Sequence, residues 1–556
     1  MGKNFKILLL ILLLGITFRI WNLETIPHWY WDEGVNMNIA WNLANGKMQW
    51  FCLSYPFVPH PPLFFIIAAF TLKLLGNELL VLRGLSVFYG ILTILLLYLI
   101  GKEMFNKKIG LLSAFLFAIY PTAIYWNRMG FANNQLMFLS VLTLYSTLLY
   151  LNRKDEKWFY LAGILTGLSI ITEILGIGLF FAASILLWIY RKEKLLNFIV
   201  ISTVIPSIFV VSMLILMPDA FIHDLTHNSG RVNYILIFSF SVILFLVYSS
   251  RFRRIFFGYI HDTYVIFIPS RLREINTRLY KNCVSYLYEI YRSVIEEMKE
   301  NLPVFYIIPS LIIFFMPPSD KLFVDNLDYF WLGILGFYFI KEKKSRDILF
   351  CFFLSFFIIL WGLDRSDHMI IPLYPLFCIG LAFFLDLIYG ISLGYFREKL
   401  WGINLNVTAL TVLLVFYPLG VFVYYDTAAF VNGEFLSIED IDARYKVADF
   451  VNERVVGDDV VLTDSHLSRM INSKTSVLIQ AAAFKEESIA YMPSDLSKDR
   501  FLFNCSHRNA KFIVMVNGTR EWAMNHTALV KIMNEIQNWS TNEINNYLIY
   551  RNPHID

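Results

Sequence analysis

Apolar runs of about 15 to 20 residues, broken by short polar turns, dominate the chain. This pattern predicts membrane-spanning helices near 5–20, 83–100, 109–126, 132–151, 158–172, 174–190, 195–217, 232–249, 303–318, 327–340, 348–363, 370–389 and 403–425. That is roughly thirteen spans, several shorter than the ~20 residues a perpendicular helix needs, and 158–190 can be divided differently. The pattern breaks twice. Residues 21–82 are too long for a tight turn and too apolar for water; helical stretches at 33–45 and 62–75 flank His60-Pro61-Pro62, which predicts interfacial helices covering a cavity. Residues 270–302 set Arg271, Arg273, Arg278, Lys281 and Arg292 among Leu, Tyr and Val, as in an amphipathic helix on the membrane or a solvated connector.

Composition agrees with a polytopic membrane protein: 57% of the 556 residues are hydrophobic, 51 are Phe, and only 16% are charged. The formal net charge of +3 matters less than its placement. Lys102, Lys107 and Lys108, then Arg153, Lys154 and Lys157, Arg191, Lys192 and Lys194, Arg251, Arg253 and Arg254, Lys341 to Arg346, and Arg397 with Lys399 fall on alternate turns, while the intervening turns are poor in basic residues. The positive-inside rule then puts the N-terminus in the cytoplasm and places 21–82 and everything after 425 outside, as in a multi-pass plasma-membrane protein. Lys3 and Lys6 before Ile7–Ile16 look like a signal peptide, but small residues for cleavage are lacking, so a retained first span is expected. Basic residues do not line one soluble face, which excludes a nucleic-acid partner.

Two domains are thus expected, a transmembrane unit at 1–425 and an extracytoplasmic α/β domain at 426–556. In the second, polar sequence carries a helix at 440–455, strands at 460–462, 512–516 and 547–550, and a helix near 527–538. It also holds glycosylation tripeptides at Asn504, Asn517, Asn525 and Asn538; a fifth, at Asn406, lies near the inner side. Cys52, Cys283, Cys351, Cys378 and Cys505 show neither metal nor redox spacing, leaving Cys52 to Cys505 as the one conceivable bridge.

The sharpest chemical signal is the acidic doublet Asp32-Glu33 in WYWDEG, a dozen residues after the first span. Carboxylates beside a bilayer are costly to keep, and one can take a proton from a hydroxyl nucleophile. An Asp at this place also suits the N-cap of a helix over 33–45, and both readings stand on local sequence. Positive or hydrogen-bonding partners for an anionic leaving group are available outside: Arg128 with Asn133 and Asn134, Arg231, Arg365, His60, His223, His227 and His368. Each Arg also fits as a headgroup anchor. His223, Asp224 and His227 have the i, i+1, i+4 spacing that permits a divalent metal, the only cofactor suggested. No dinucleotide fingerprint, P-loop or triad motif occurs, so a soluble nucleotide donor is not indicated.

The order of these motifs carries a resemblance. An early outward Asp-Glu, then HPPLFF, VLRGLSVFYG, FNKKIGLLSAFLFAIYP and a late MIIPLYPLF before a soluble tail is similar to GT-C glycosyltransferases, in particular the protein O-mannosyltransferase and aminoarabinose transferase group. The resemblance implies a membrane enzyme that takes a sugar, such as mannose, from a polyprenyl- or dolichyl-phosphate carrier and transfers it with inversion to a hydroxyl on a protein, glycan or lipid. It implies Asp32 as general base, with Glu33 orienting the acceptor or binding metal. Asn133 stands where the group has a second Asp, and Glu173 in Ile171-Thr172-Glu173 stands where many members have Lys. Glu173 and Arg231 are kept as further substrate contacts. The rival from another class is a transporter or flippase of lipid-linked sugars, which predicts inverted repeats and charges near mid-bilayer. A membrane anchor displaying the tail leaves the number of spans unexplained.

Overall fold

The structure is a computed structural model describing residues 2–24, 27, 30–45, 60–76, 78–216, 218, 221–222, 333–362, 367–396, 438–485, 487 and 498–555. The spans expected at 232–249, 303–318 and 403–425, the stretch 270–302, and Asp224, His223, His227, Arg231, Arg365 and Cys52 lie outside the described residues.

The membrane unit opens with α1 (Lys3–Ile20), α2 (Trp31–Ala44), α3 (Leu63–Leu75), α4 (Leu79–Met104), α5 (Lys107–Ile119), α6 (Pro121–Asn127), α7 (Ala132–Arg153), α8 (Glu156–Ile170), α9 (Ile177–Tyr190) and α10 (Leu195–Leu216). It continues with α11 (Gly333–Tyr338), α12 (Lys343–Gly362) and α13 (Tyr374–Phe396). Among the described residues four helices are each long and apolar enough to cross a bilayer, and a fifth is counted if α5 and α6, bent by 63° to one another, make one span. The run predicted as one straight span at 109–126 is therefore two helices with a sharp bend between them. Its cause is Pro121, which has no N–H to offer the Phe117 carbonyl one turn back. The orphaned carbonyls are taken instead by a guanidinium from α1: Arg19 Nη2 donates to Phe117 O at 3.0 Å and Nη1 to Ala118 O at 3.2 Å. Arg19 Nε also donates to Asn127 Oδ1 at 3.0 Å, and Gly90 is what makes room, since a Cβ there would sit 2.6 Å from that oxygen. A buried cation in lipid thus has every reason to be there: it satisfies backbone the bilayer cannot.

The first loop folds as expected into two apolar helices, α2 and α3, with Pro62 as the residue before α3. The tail is a three-layer α/β/α domain around a five-stranded sheet of β1 (Val460–Leu462), β2 (Lys474–Ser476), β3 (Ala510–Val516), β4 (Ser540–Ile544) and β5 (Tyr547–Arg551), ordered β2-β1-β3-β5-β4. The first three neighbours are parallel and the last two pairings antiparallel, with Ile513 opposite Tyr550 and Val514 opposite Ile549. Alternation along the strands feeds both faces: Leu462, Ile513 and Met515 pack on one side, Val461, Phe512 and Val514 on the other. The helices are α14 (Ile438–Asn452), α15 (Ser465–Ser468), α16 (Leu478–Phe484), α17 (Asn517–Met524) and α18 (Thr527–Ile536). Three of these helices and strands β2 and β4 are additions to the sequence reading.

The tail is not a separate bead. Met37, Ala40, Phe64 and Phe65 of the first loop share one apolar core with Ala483, Phe501 and Cys505 of the tail. Asn38 Nδ2 donates to Ser465 O at 3.1 Å and to Ser468 Oγ at 2.5 Å, so α15 is seated on α2. The tail therefore lies on the same side of the membrane unit as α2 and α3.

Candidate active site

The doublet that the sequence singles out is split by its surroundings. Helix α2 starts at Trp31 with Tyr30 as its capping position, so Asp32 lies in the first turn and is not the cap. Glu33 points inward. Its side chain and that of Arg83, near the start of α4, are almost fully buried, 1% and 0% exposed, and form a two-pronged pair at 2.9 Å (Nε to Oε1) and 2.7 Å (Nη2 to Oε2). The remaining lone pairs accept the Gly130 N–H at 2.8 Å and the Tyr30 N–H at 3.2 Å. Arg83 Nη1 in turn donates to the carbonyls of Leu23 at 2.9 Å and Pro27 at 2.8 Å. Glu33 is thereby consumed in holding the loop between α1 and α2 onto α4. The expectation that it faces the acceptor or a metal is corrected: every oxygen is spoken for and none faces water.

Asp32 has a different environment. It is exposed, yet protein crowds it enough to raise its carboxyl above the ordinary range, burial being the larger cause and the adjacent Glu33 charge the second. Both facts describe a carboxylate at the protein surface with other groups close around it. Two residues before it, an aromatic wall begins: Tyr30 meets Trp126 edge-on at 6.2 Å and Phe131 at 5.7 Å, and the His368 ring stacks on Phe131 at 4.7 Å and 15°. His368 Nδ1 and Trp126 Nε1 have no hydrogen-bond partner among the described residues.

Gly130 explains how the wall is built. Its N–H goes to Glu33 and its carbonyl accepts from Asn36 Nδ2 at 2.9 Å, while a Cβ would stand 2.5 Å from Leu82 Cδ2. The NRMGFANN segment is thus clamped to α2 through backbone, which sets Phe131 against Tyr30.

The other predicted site residues divide. Arg128 is 1% exposed; Nη1 donates to Phe18 O at 3.1 Å and Nη2 to Trp21 O, closing the C-terminal carbonyls of α1. It is not an open phosphate contact, which corrects its place at the head of the expected donor site. Asn134 is buried in the same framework, accepting from Asn127 Nδ2 at 2.8 Å and donating to Trp126 O at 2.9 Å and Met129 O at 3.0 Å. Asn133 is buried too. His60 is held by burial at a pKa of about 4, so at neutral pH it serves as a neutral hydrogen-bonding ring and not as a cation. Glu173 is pushed up to about 7 by burial, partly offset by the bond it accepts from Ile174 N–H at 2.9 Å. Its turn touches the His60 segment: Leu63 N–H donates to Ile171 O at 2.8 Å, and Gln135 Nε2 to Thr172 Oγ1 at 3.2 Å. Among the described residues no three His, Cys, Asp or Glu side chains cluster as a metal site.

Sequence reasoning missed Arg83, Tyr30 and Trp126. Arg83 carried a signal, a lone cation at the start of an apolar run, which calls for a buried partner; the aromatics carried none among 13 Trp and 31 Tyr.

Known proteins share this architecture. The family model described as dolichyl-phosphate-mannose-protein mannosyltransferase matches residues 59–217. Dolichyl-phosphooligosaccharide-protein glycotransferase 1 of Archaeoglobus fulgidus is 27% identical over 345 residues, 58% of this chain and 50% of that protein. A second glycotransferase of that organism is 29% identical over 157 residues, 26% of each chain. The chain thus spans half or less of the length of these curated relatives. Among solved structures, ArnT from Cupriavidus metallidurans bound to undecaprenyl phosphate superimposes with a TM-score of 0.55 at 12% identity, covering 99% of this chain and 97% of that one. The A. fulgidus oligosaccharyltransferase in its apo form gives 0.54 at 14% identity, covering 97% and 73%. The protein is an integral membrane protein of the GT-C fold.

Proposed function

We propose that the protein is a GT-C glycosyltransferase that moves a sugar, mannose first among candidates, from a polyprenyl-phosphate carrier to a protein hydroxyl on the outer face of the plasma membrane. The observation that carries this reading is the division of labour in the doublet: Glu33 is locked away against Arg83, and Asp32 is left exposed with a raised carboxyl. A carboxylate of raised pKa is a stronger base toward a hydroxyl. Asp32 takes the acceptor proton, the acceptor oxygen attacks the anomeric carbon, and the bond to the carrier breaks with its electron pair going to the lipid phosphate. A single displacement of this kind inverts the anomeric centre. His368, whose Nδ1 has no partner among the described residues, and His60 supply neutral hydrogen bonds to the growing negative charge, joined by Arg365. The relatives support a lipid-phosphate carrier and a protein acceptor: one solved oligosaccharyltransferase of the same fold is in complex with an inhibitory peptide and a dolichol-phosphate.

The test is transfer from radiolabelled dolichyl-phosphate mannose in membranes. Asp32→Asn is expected to lower turnover by about a hundred- to ten-thousandfold with normal insertion, and unchanged turnover overturns the assignment.

A further inference from the structure

A second feature lies at the opposite end of α1 from Asp32. Helices α1 and α5 pack side by side and run in the same direction, and between them lies a groove of about 430 Å³. One wall carries Ile7, Leu10 and Leu14, the other Lys108, Leu111 and Phe115, each set following the i, i+3, i+4, i+7 spacing of a single helix face. The groove opens to the lipid side, where Leu10 is 66% exposed and Leu9, Leu13 and Phe5 are exposed beside it. Residues 7 to 14 span about 10 Å along α1, most of one leaflet's hydrocarbon depth.

Each wall begins at a lysine. Lys3 precedes Ile7 by one turn on the same face, Lys108 lines the groove itself, and Lys6 and Lys107 flank them, all four exposed. Lys108 is paired with Asp386 at 2.7 Å, which accounts for one of the four charges. An apolar trough ending in surplus cations matches one kind of molecule: a hydrocarbon chain with a negative headgroup. We infer that this groove is a binding site for an anionic membrane phospholipid, its chain between α1 and α5 and its phosphate at Lys3, Lys6 and Lys107. The polyprenyl carrier of the proposed reaction is the other hydrocarbon to consider, but its phosphate belongs at the Asp32 end, beyond the far terminus of α1. The lysines point to a headgroup at the near end, so the site is independent of the catalytic reading.

The experiment is native mass spectrometry of the full-length protein in detergent, titrated with phosphatidylglycerol or phosphatidylcholine of identical chains. Phosphatidylglycerol is expected to occupy a first site at least fivefold more tightly. Replacing Lys3, Lys6 and Lys107 together by Gln removes that preference, each lysine near a lipid surface being worth roughly a fivefold change. Leu10→Trp, at a position exposed enough to take the ring without disturbing the core, weakens the first site for both lipids. Equal binding of the two lipids, a preference that survives the triple substitution, or displacement of phosphatidylglycerol from the first site by dolichyl phosphate would each overturn the inference.

Discussion

Removing either partner of the Glu33–Arg83 pair should destabilise the protein far more than removing Asp32. In Arg83→Met a side chain of similar length stays in place, but the Glu33 carboxylate keeps only the N–H groups of Gly130 and Tyr30, and the carbonyls of Leu23 and Pro27 lose their donor. Leaving one buried charge without its partner costs about 3–5 kcal/mol. Glu33→Gln strands the guanidinium instead and belongs to the same range. In the double variant no lone charge remains, so the combined loss should fall short of the sum by at least about 2 kcal/mol. Equilibrium unfolding of the purified protein in detergent reads all three, with limited proteolysis of 21–82 to locate the loosened region. Asp32→Asn, at an exposed position, should stay within about 0.5 kcal/mol of wild type. Single variants that each cost under about 1 kcal/mol, the range of exposed ion pairs, would refute the claim that this pair is the anchor of the loop.

Other outcomes follow from the same contacts. Asp464, buried at the end of β1, holds its proton to about pH 7 because burial disfavours its charge, against 3.8 for the free side chain. The fold therefore binds a proton that the unfolded chain releases, and stability should fall as pH rises from about 4 to 7, by at most about 4 kcal/mol. Asp464→Asn should flatten that profile and unfold later than wild type at pH 8; a wild-type profile already flat across the interval would refute it. Asn38→Ala removes both bonds to α15 and should cost about 1–3 kcal/mol, seen as faster proteolysis at the tail junction, whereas an unchanged cleavage rate would show that the apolar core alone seats the tail. Arg19→Met leaves the Phe117 and Ala118 carbonyls bare in the membrane and should lose at least about 2 kcal/mol, with Arg19→Lys recovering only part, as judged by thermal aggregation in detergent; full recovery by Lys would mean that charge, not the forked geometry, matters there.

Much of this architecture is written in periodicity. Helices α1, α4, α7, α8, α9, α10 and α12 fall on predicted apolar runs to within about five residues, as do α2 and α3 and the strands β1, β3 and β5, because each carries a regular apolar pattern of its own. Strands β2 and β4 escaped because Lys474-Thr475-Ser476 and Ser540 to Ile544 are polar and edge-lying, so their strand character comes from neighbours and not from their own residues. The break at Tyr120–Pro121 escaped for a different reason. A proline near the end of a hydrophobic run is compatible with a straight span, and only the distant Arg19 makes the broken form affordable.

The candidate site shows where one-dimensional reading stops. Asp32 and Glu33 are chemically near-equivalent, and successive residues of a helix project about 100° apart. One must therefore face away from whatever the other faces. Sequence could say that one acid of such a pair is available for chemistry, but choosing between them requires knowing where Arg83 sits, 50 residues later. The same reasoning demotes Arg128. A cation beside an anionic substrate and a cation closing the C-terminus of α1 ask for the same residue at the same membrane depth, and the carbonyls of Phe18 and Trp21 decide for the second. What the framework leaves uncommitted is then the better guide to chemistry: the exposed carboxylate of Asp32, and the Nδ1 of His368, which has no partner among the described residues and whose ring stacks on Phe131, are groups the fold does not use in its own hydrogen bonding.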